Sequence, residues 1–293
     1  MQSSQQAAKL LMVLVALAIV AGAETREELR FTVGPRATIT IVNQYGGISV
    51  KPSTSNLVVV VATRASDKVE IDRSPESDAS ASANRVNITS HLLQGATPES
   101  GRVDYEVLVP VDSSVILQSA TGTLHAEKLR GDVDVEGAQS NVDIRDITEA
   151  HVHVKTMDGS VLLTNIKGGH LDVESVSGDI QLVNVAAPQV RVSSTRGRIS
   201  YDGDFGYTGN YRLTNHSGDI EAIIPQNTSA EIQAQSLRGK VEDDVHLQPK
   251  KHSSGFIPGA ASFFGTTIST VGHSASSVLL STFSGKIHLQ KRQ

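Results

Sequence analysis

Three pairs of residues stand out for the chemistry their types allow: Asp132 with Asp134, His151 with His153, and His170 with Asp172. Within each pair the two residues are one position apart from adjacency, so on a strand they share a face. If the strands carrying them stack about 4.8 Å apart, Asp134, His153 and Asp172 form one row. Asp132, His151 and His170 then form another. Imidazoles and carboxylates placed in this way suit a divalent transition metal. Asp134, His151, His153, His170 and Asp172 are therefore the candidate ligands. The plainer reading is an exposed ladder of complementary charges, worth roughly a few tenths of a kcal/mol per pair. Nothing in the sequence points to the buried pocket or outer shell that a metal centre needs.

Other chemistry finds less support. Asp179, Asp219, Glu221 and Glu242 fall on outward positions, and a glycosidase needs two carboxyls about 5–9.5 Å apart beside a cleft. Carboxylates are expected on any solvated strand face, so an enzyme acting on polysaccharides is the least favoured function. No nucleophile elbow, zinc-protease helix, dinucleotide fingerprint or P-loop occurs. No catalytic residue and no cofactor is expected. With no Cys, the chain has no disulfide, thiolate metal site or lipidated cysteine. A net charge of -5 argues against a general nucleic-acid binder.

The elements that must hold these residues are strands of a repeat. One phrase recurs from residue 119 onward: a small residue or Gly, any residue, then apolar, polar, apolar. Examples are Gly131-Asp-Val-Asp-Val, Ala150-His-Val-His-Val, Gly178-Asp-Ile-Gln-Leu and Gly285-Lys-Ile-His-Leu. This is strand period, and no helical pattern fits between the copies. Taken two phrases at a time, the repeat is 18 to 21 residues long. A sandwich or barrel of hairpins competes with a solenoid of stacked rungs. The steady period, and the lack of alternating hairpin signatures, favour the solenoid. The expected fold is therefore all-β: a parallel β-solenoid with two short strands per rung and an irregular β-rich N-terminal lead-in.

Two inward columns follow. One runs Leu124, Val142, Val161, Ile180, Ile199, Ile220 and Val241; the other runs Val133, Val152, Leu171, Val190, Tyr211 and Ile232. Branched aliphatics fill such a narrow core, which leaves little room for rings. Eight rungs give a rod roughly 40 Å tall. Residues 24–118 read as the lead-in or cap, in which Tyr45-Gly-Gly-Ile-Ser-Val50 looks like an early rung. The solenoid spans 119–290, with a loop insertion at about 243–275. That insertion carries Phe256, Ile257, Phe263 and Phe264. It reads as a cap over the last rungs or, more sharply, as a partner or membrane contact.

Residues 1–23 stand apart from the fold. Lys9 precedes an apolar run from Leu10 to Val20 that ends in Ala21-Gly22-Ala23. A basic start, a short apolar core and an A-x-A end describe a signal peptide, cleaved after Ala23. The apolar stretch is short for a spanning helix, which needs about 20 residues. Export to the periplasm, cell envelope or extracellular space is expected. Membrane contact would come only through an uncleaved signal or through the 250–270 loop.

The lead-in ends in Tyr105-Glu-Val-Leu-Val-Pro110 and is followed by Asp158-Gly-Ser-Val161, Ser177-Gly-Asp-Ile180, Ser217-Gly-Asp-Ile220 and Ser284-Gly-Lys-Ile287. These motifs resemble the bacterial candidate-adhesin family of β-strand-repeat domains of unknown function. They are also similar to the head domain of candidate autotransporter adhesins. The resemblance covers roughly residues 31–290 and is specific for fold rather than activity. It implies an envelope location and an adhesive or scaffolding role. The leading expectation is a non-catalytic, adhesin-like protein binding an envelope protein, glycan or surface through a repetitive face. The alternative is a scaffold that stacks end to end through terminal rungs, such as the last strand from Lys286 to Gln290.

Overall fold

A computed structural model describes residues 24–75, 83–206, 208–226, 228–246, 248–249, 261–267 and 276–292, with the backbone alone at 248–249 and 261–267. The segment 1–23 lies outside the described residues, as do Phe256 and Ile257. The described chain is all-β, a solenoid built as one 22-stranded sheet. Its first part holds β1 (Thr25–Tyr45), β2 (Ile48–Ser53), β3 (Leu57–Arg64), β4 (Val69–Ser74), β5 (Ala83–Leu92) and β6 (Val103–Pro110). The repeat follows with β7 (Ser114–Glu127), β8 (Val133–Arg145), β9 (Val152–Asp158), β10 (Val161–Thr164), β11 (His170–Ser175) and β12 (Ile180–Val185). Next come β13 (Gln189–Ser194), β14 (Ile199–Gly203), β15 (Asn210–Asn215), β16 (Ile220–Ile224), β17 (Ala230–Ser236) and β18 (Val241–Asp243). The last four are β19 (Gln248–Pro249), β20 (Ala261–Thr267), β21 (Ser276–Thr282) and β22 (Ile287–Lys291).

Strands pair in parallel with the equivalent strand one rung away, so like residues stack. From β8 to β16 the order is that of the sequence: Val142 pairs with Val161, then Ile180, Ile199 and Ile220. Beyond Ile220 the order departs from expectation. Ile220 pairs with Ile287, and Ile287 in turn with Val241. The C-terminal strands β21 and β22 thus occupy a rung between β15/β16 and β17/β18. The last strand is no exposed terminal rung: both of its edges are filled, by β16 and β18.

The N-terminal end repeats this manoeuvre. The second half of β1, with β2, lies between β5/β6 on one side and β7 on the other. One inward column therefore runs Tyr105, Ile48, Leu124, Val142, Val161, Ile180, Ile199, Ile220, Ile287 and Val241. That is two rungs more than the repeat alone suggests, and about 43 Å of stacked strand. Antiparallel strands close both ends: β4 on β5, β3 on β6, and β20 on β17. Closing the edges this way guards against strand-to-strand aggregation.

A third inward column sits at the turn between rungs: Leu129, Ile147, Ile166 and Val185, all buried. The residues before them take left-handed backbone angles, with φ of 56° at Asp146, 57° at Asn165 and 56° at Asn184. Asn and Asp tolerate that region best after Gly. Their side chains form a ladder: Asn165 Nδ2 donates to Asp146 Oδ1 at 2.8 Å, and Asn184 Nδ2 to Asn165 Oδ1 at 2.7 Å. The core also holds more rings than a narrow aliphatic stack suggests. Tyr201, Phe205 and Tyr211 pack together with centroids 4.9–6.2 Å apart between β14 and β15.

The opposite corner explains the glycines. A Cβ on Gly178 would collide with the carbonyl oxygen of Gly159 one rung before, and one on Gly285 with that of Gly218. Close approach of stacked backbones, more than turn angles, demands Gly there. Three residues earlier stands a buried polar side chain that ties the corner. Asn215 Oδ1 accepts the Gly218 N–H at 3.1 Å, while its Nδ2 donates to the Gly197 carbonyl at 2.6 Å. Thr282 Oγ1 bonds the Gly285 N–H and the Gly218 carbonyl in the same way, and Ser236 Oγ bonds the Gly239 N–H and the Gly285 carbonyl.

Gly178→Ala is expected to lower stability by about 2–4 kcal/mol, since only backbone movement relieves the clash. Urea melting checks this. A loss no larger than that of Thr195→Ala, on the exposed side of the corner, contradicts the close-packed stack.

Candidate functional site

The register of β8, β9 and β11 brings the candidate ligands onto one face. Asp134 pairs with His153, and His153 with Asp172. Glu136, Lys155 and Glu174 make a parallel row. In the row nearer the turn, the His151 N–H donates to Asp132 Oδ1 at 2.8 Å, and His151 Nδ1 lies 3.4 Å from the same oxygen. The His151 and His170 rings lie 4.9 Å apart. Beyond Asp172 the row continues through Arg191 to Arg212. Among the described residues, no group of three or more His, Asp or Glu converges to hold a metal ion. From β8 to β13 the row places an acid beside a base on successive rungs, and its charged part ends on the like-charged pair Arg191 and Arg212.

The expected partner-contact residues divide. Phe256 and Ile257 lie outside the described residues, whereas Phe263 and Phe264 belong to β20, opposite Ala234 and Gln233 of β17. This part of the insertion covers the free edge of β17, as a cap would.

The sequence gives no hint of two grooves at the glycine corner near the N-terminal end. One has a volume of 480 Å³ and is lined by Tyr45, Gly46, Gly47, Pro98, Arg102, Asp104 and Thr121–Thr123. It leads past Pro98, Arg102 and Asp104 into a 320 Å³ extension beside Glu99 and Thr63. The other, of 430 Å³, lies round the corner among Gln44, Gln118, Glu136, Lys155 and Met157. The nearest signal was Gly46-Gly47 in what reads as an early rung. Arg102 and Asp104 carry no periodic mark.

The groups whose ionisation is most altered are buried phenols. Burial pushes Tyr105 up to about 12, opposed by its hydrogen bond to Ser90 Oγ at 2.7 Å. Burial also raises Tyr201 and Tyr211. Tyr211 donates to the carbonyls of Ala187 and Asp204. Shifted groups often mark catalysis, but these phenols lie within the core, where Tyr201 and Tyr211 bond main-chain carbonyls and Tyr105 bonds Ser90. Between pH 10 and 12 the unfolded chain loses the Tyr105 proton and the folded chain keeps it. The stability tied to this phenol is therefore complete below pH 10 and drains away as pH rises toward 12. Tyr105→Phe is expected to flatten the fall of the urea midpoint over that interval, and an unaltered slope contradicts the assignment.

The sequence profile of the Toastrack DUF4097 family matches residues 37–262. No curated protein matches the chain. Among solved structures it is similar to a candidate adhesin from Parabacteroides distasonis, at 11% identity over 92% of this chain and 98% of that one, with a TM-score of 0.40. A candidate adhesin from Bacteroides fragilis matches at 13% identity over 90% and 97%, with a TM-score of 0.39. A candidate cell adhesion protein from Clostridium sporogenes matches at 11% identity over 92% and 100%, with a TM-score of 0.31.

Proposed function

Because the chain belongs to the Toastrack DUF4097 family of β-repeat domains, we propose that it is an exported, non-catalytic, adhesin-like protein. It holds an envelope partner, glycan or surface through its repetitive faces. The observation that carries this reading is the run of in-register outward side chains along the stack: Asp134, His153, Asp172, Arg191 and Arg212 in one unbroken row. A rung-to-rung spacing of about 4.8 Å presents charged and polar contacts at regular intervals on a stiff support. Each contact is weak, and the sum gains through effective concentration.

The buried phenols are consistent with a molecule that acts by shape. They bind main-chain carbonyls and Ser90 inside the core, away from the charged face. The A-x-A segment ending at Ala23 supports export. No helix of the described residues is long and apolar enough to cross a membrane.

Beads carrying many copies of the chain from residue 24 onward test the reading against single copies in solution. Multivalent beads are expected to adhere to envelope-coated surfaces at least about a hundredfold more tightly than the monomer. Adhesion should weaken when Arg191 and Arg212 are both replaced by Glu. Release of reducing ends from acidic polysaccharides, or equal adhesion by beads lacking the protein, contradicts it.

A further inference from the structure

The 480 Å³ groove at the N-terminal corner is a built site, assembled from three separate segments. A bridge sets Tyr45 beside Arg102, and Tyr45 pairs on its other side with Thr121 of β7. The floor is bare backbone at Gly46 and Gly122. A Cβ on Gly46 would strike the Val103 carbonyl, and one on Gly122 the Gly46 carbonyl, so the floor is main chain packed directly on main chain. The wall is the 97–102 turn, held by its own bonds. The Thr97 N–H donates to Ser100 Oγ at 2.9 Å, the Gly101 N–H to the Thr97 carbonyl at 2.7 Å, and Ser66 Oγ to the Ser100 carbonyl at 2.7 Å. The site is thus formed before anything enters it, which spares the ordering cost of binding.

The polar groups are fixed and paired. Asp104 Oδ1 accepts the Gly47 N–H at 2.8 Å, and Asp104 Oδ2 lies 2.8 Å from Arg102 Nη2. The Arg102 charge is therefore already met, and Glu99 stands next to it in the extension. A free anion would find no unopposed cation here. A strand from a partner would find no open ladder, since β2 pairs with β6 on one edge and β7 on the other. What the groove does offer is one aromatic residue, an adjacent acceptor and donor pair, two Thr residues and main chain at Gly46, Gly47 and Gly122. An aromatic ring meets the apolar C–H face of a ring of tetrahedral carbons. Arg102 and Asp104 retain spare donors and lone pairs for adjacent hydroxyls. The volume lies in the range of small-ligand sites.

We propose that this groove binds one or two units of a neutral saccharide, stacked on Tyr45 and bridged by Arg102 and Asp104. It rests on the adhesive reading above and gives that reading a ligand class. The site is shallow and binds each saccharide weakly, so adhesion through it depends on many copies.

The test is titration of the ¹⁵N-labelled chain from residue 24 onward. The probes are neutral hexose and N-acetylhexosamine oligomers of one to four units, with glucuronic acid and inorganic phosphate beside them. A neutral oligomer is expected to shift the amides of Gly46, Gly47 and Gly122 first. Arg102→Ala and Tyr45→Ala should weaken binding at least about tenfold, while Tyr45→Phe stays within about twofold. Thr123→Trp, on an exposed strand position, fills the mouth without touching the core and should abolish binding. The proposal is overturned if no neutral oligomer binds, if glucuronic acid or phosphate binds better, or if the groove variants bind as the parent does. Parent and groove variants adhering equally well to coated surfaces would overturn the groove and leave the adhesive reading standing. Saccharide binding in the groove without surface adhesion would do the reverse.

Discussion

The structure depends on one steric constraint: at one corner of most rungs, the backbones of successive rungs approach too closely to admit a Cβ. Gly178 against Gly159, and Gly285 against Gly218, show the contact at its tightest. Stacking at strand distance is what aligns like residues, and aligned residues are what fill the inner columns with Val and Ile. The same approach leaves a backbone N–H and a carbonyl facing each other at a dry corner. Unpaired, such groups would each cost about 1–3 kcal/mol. Asn215, Thr282 and Ser236 meet both at once, the glycine of their own rung and that of its neighbour. Glycine and the polar residue three places earlier are two halves of one joint.

That joint also fixes the order of the rungs, and the order is not that of the chain. Gly285 stands between Gly218 and Gly239, with Thr282 and Ser236 carrying the bonds on either side. Further ties hold the inserted strand from both flanks. Asp219 Oδ1 accepts the Lys286 N–H at 2.8 Å, Lys286 pairs with Glu242 at 2.6 Å, and Arg292 pairs with Asp202. The second half of β1 and β2 are tucked in likewise, whereas the first half, Thr25–Thr32, pairs on one edge with β3 and is an outermost strand of the N-terminal end. Antiparallel strands form the caps at both ends. The exposed rows are thereby presented on a support locked at both ends. The N-terminal groove owes its existence to the same topology: the insertion of β1/β2 is what sets Tyr45 between Arg102 and Thr121.

The sequence makes much of this legible where the period is even. The column from Val142 to Ile220 follows from spacing alone, as does the row of Asp134, His153 and Asp172, because nothing interrupts the chain between them. The rung order fails at one point for a clear reason. Gly239-Lys-Val241 and Gly285-Lys-Ile287 are the same phrase, and either satisfies the stack above Gly218. Local pattern cannot rank them, so contacts across the whole end of the rod decide. The third column escapes notice because Leu129, Ile147 and Ile166 are lone apolar residues in turns, while Val185 ends β12. The Asp146, Asn165 and Asn184 series before three of them was the usable sign. The groove is illegible for a different reason: residues 45–47, 98–104 and 121–123 share no period and meet only in three dimensions.

The inserted C-terminal rung is the claim on which the stack, its caps and its aligned faces all turn. The absence of Cys makes it directly testable by oxidation of engineered pairs. Arg212, Leu279 and Gln233 lie in one outward row, in that order. Neighbours in the row are about 4.8 Å apart, within disulfide reach, and next-neighbours are about twice that, beyond it. The account predicts that Leu279→Cys cross-links efficiently with Arg212→Cys and with Gln233→Cys, while Arg212→Cys with Gln233→Cys does not. Efficient cross-linking of 212 to 233 and of 233 to 279, with none between 212 and 279, would contradict it and restore a stack in simple chain order.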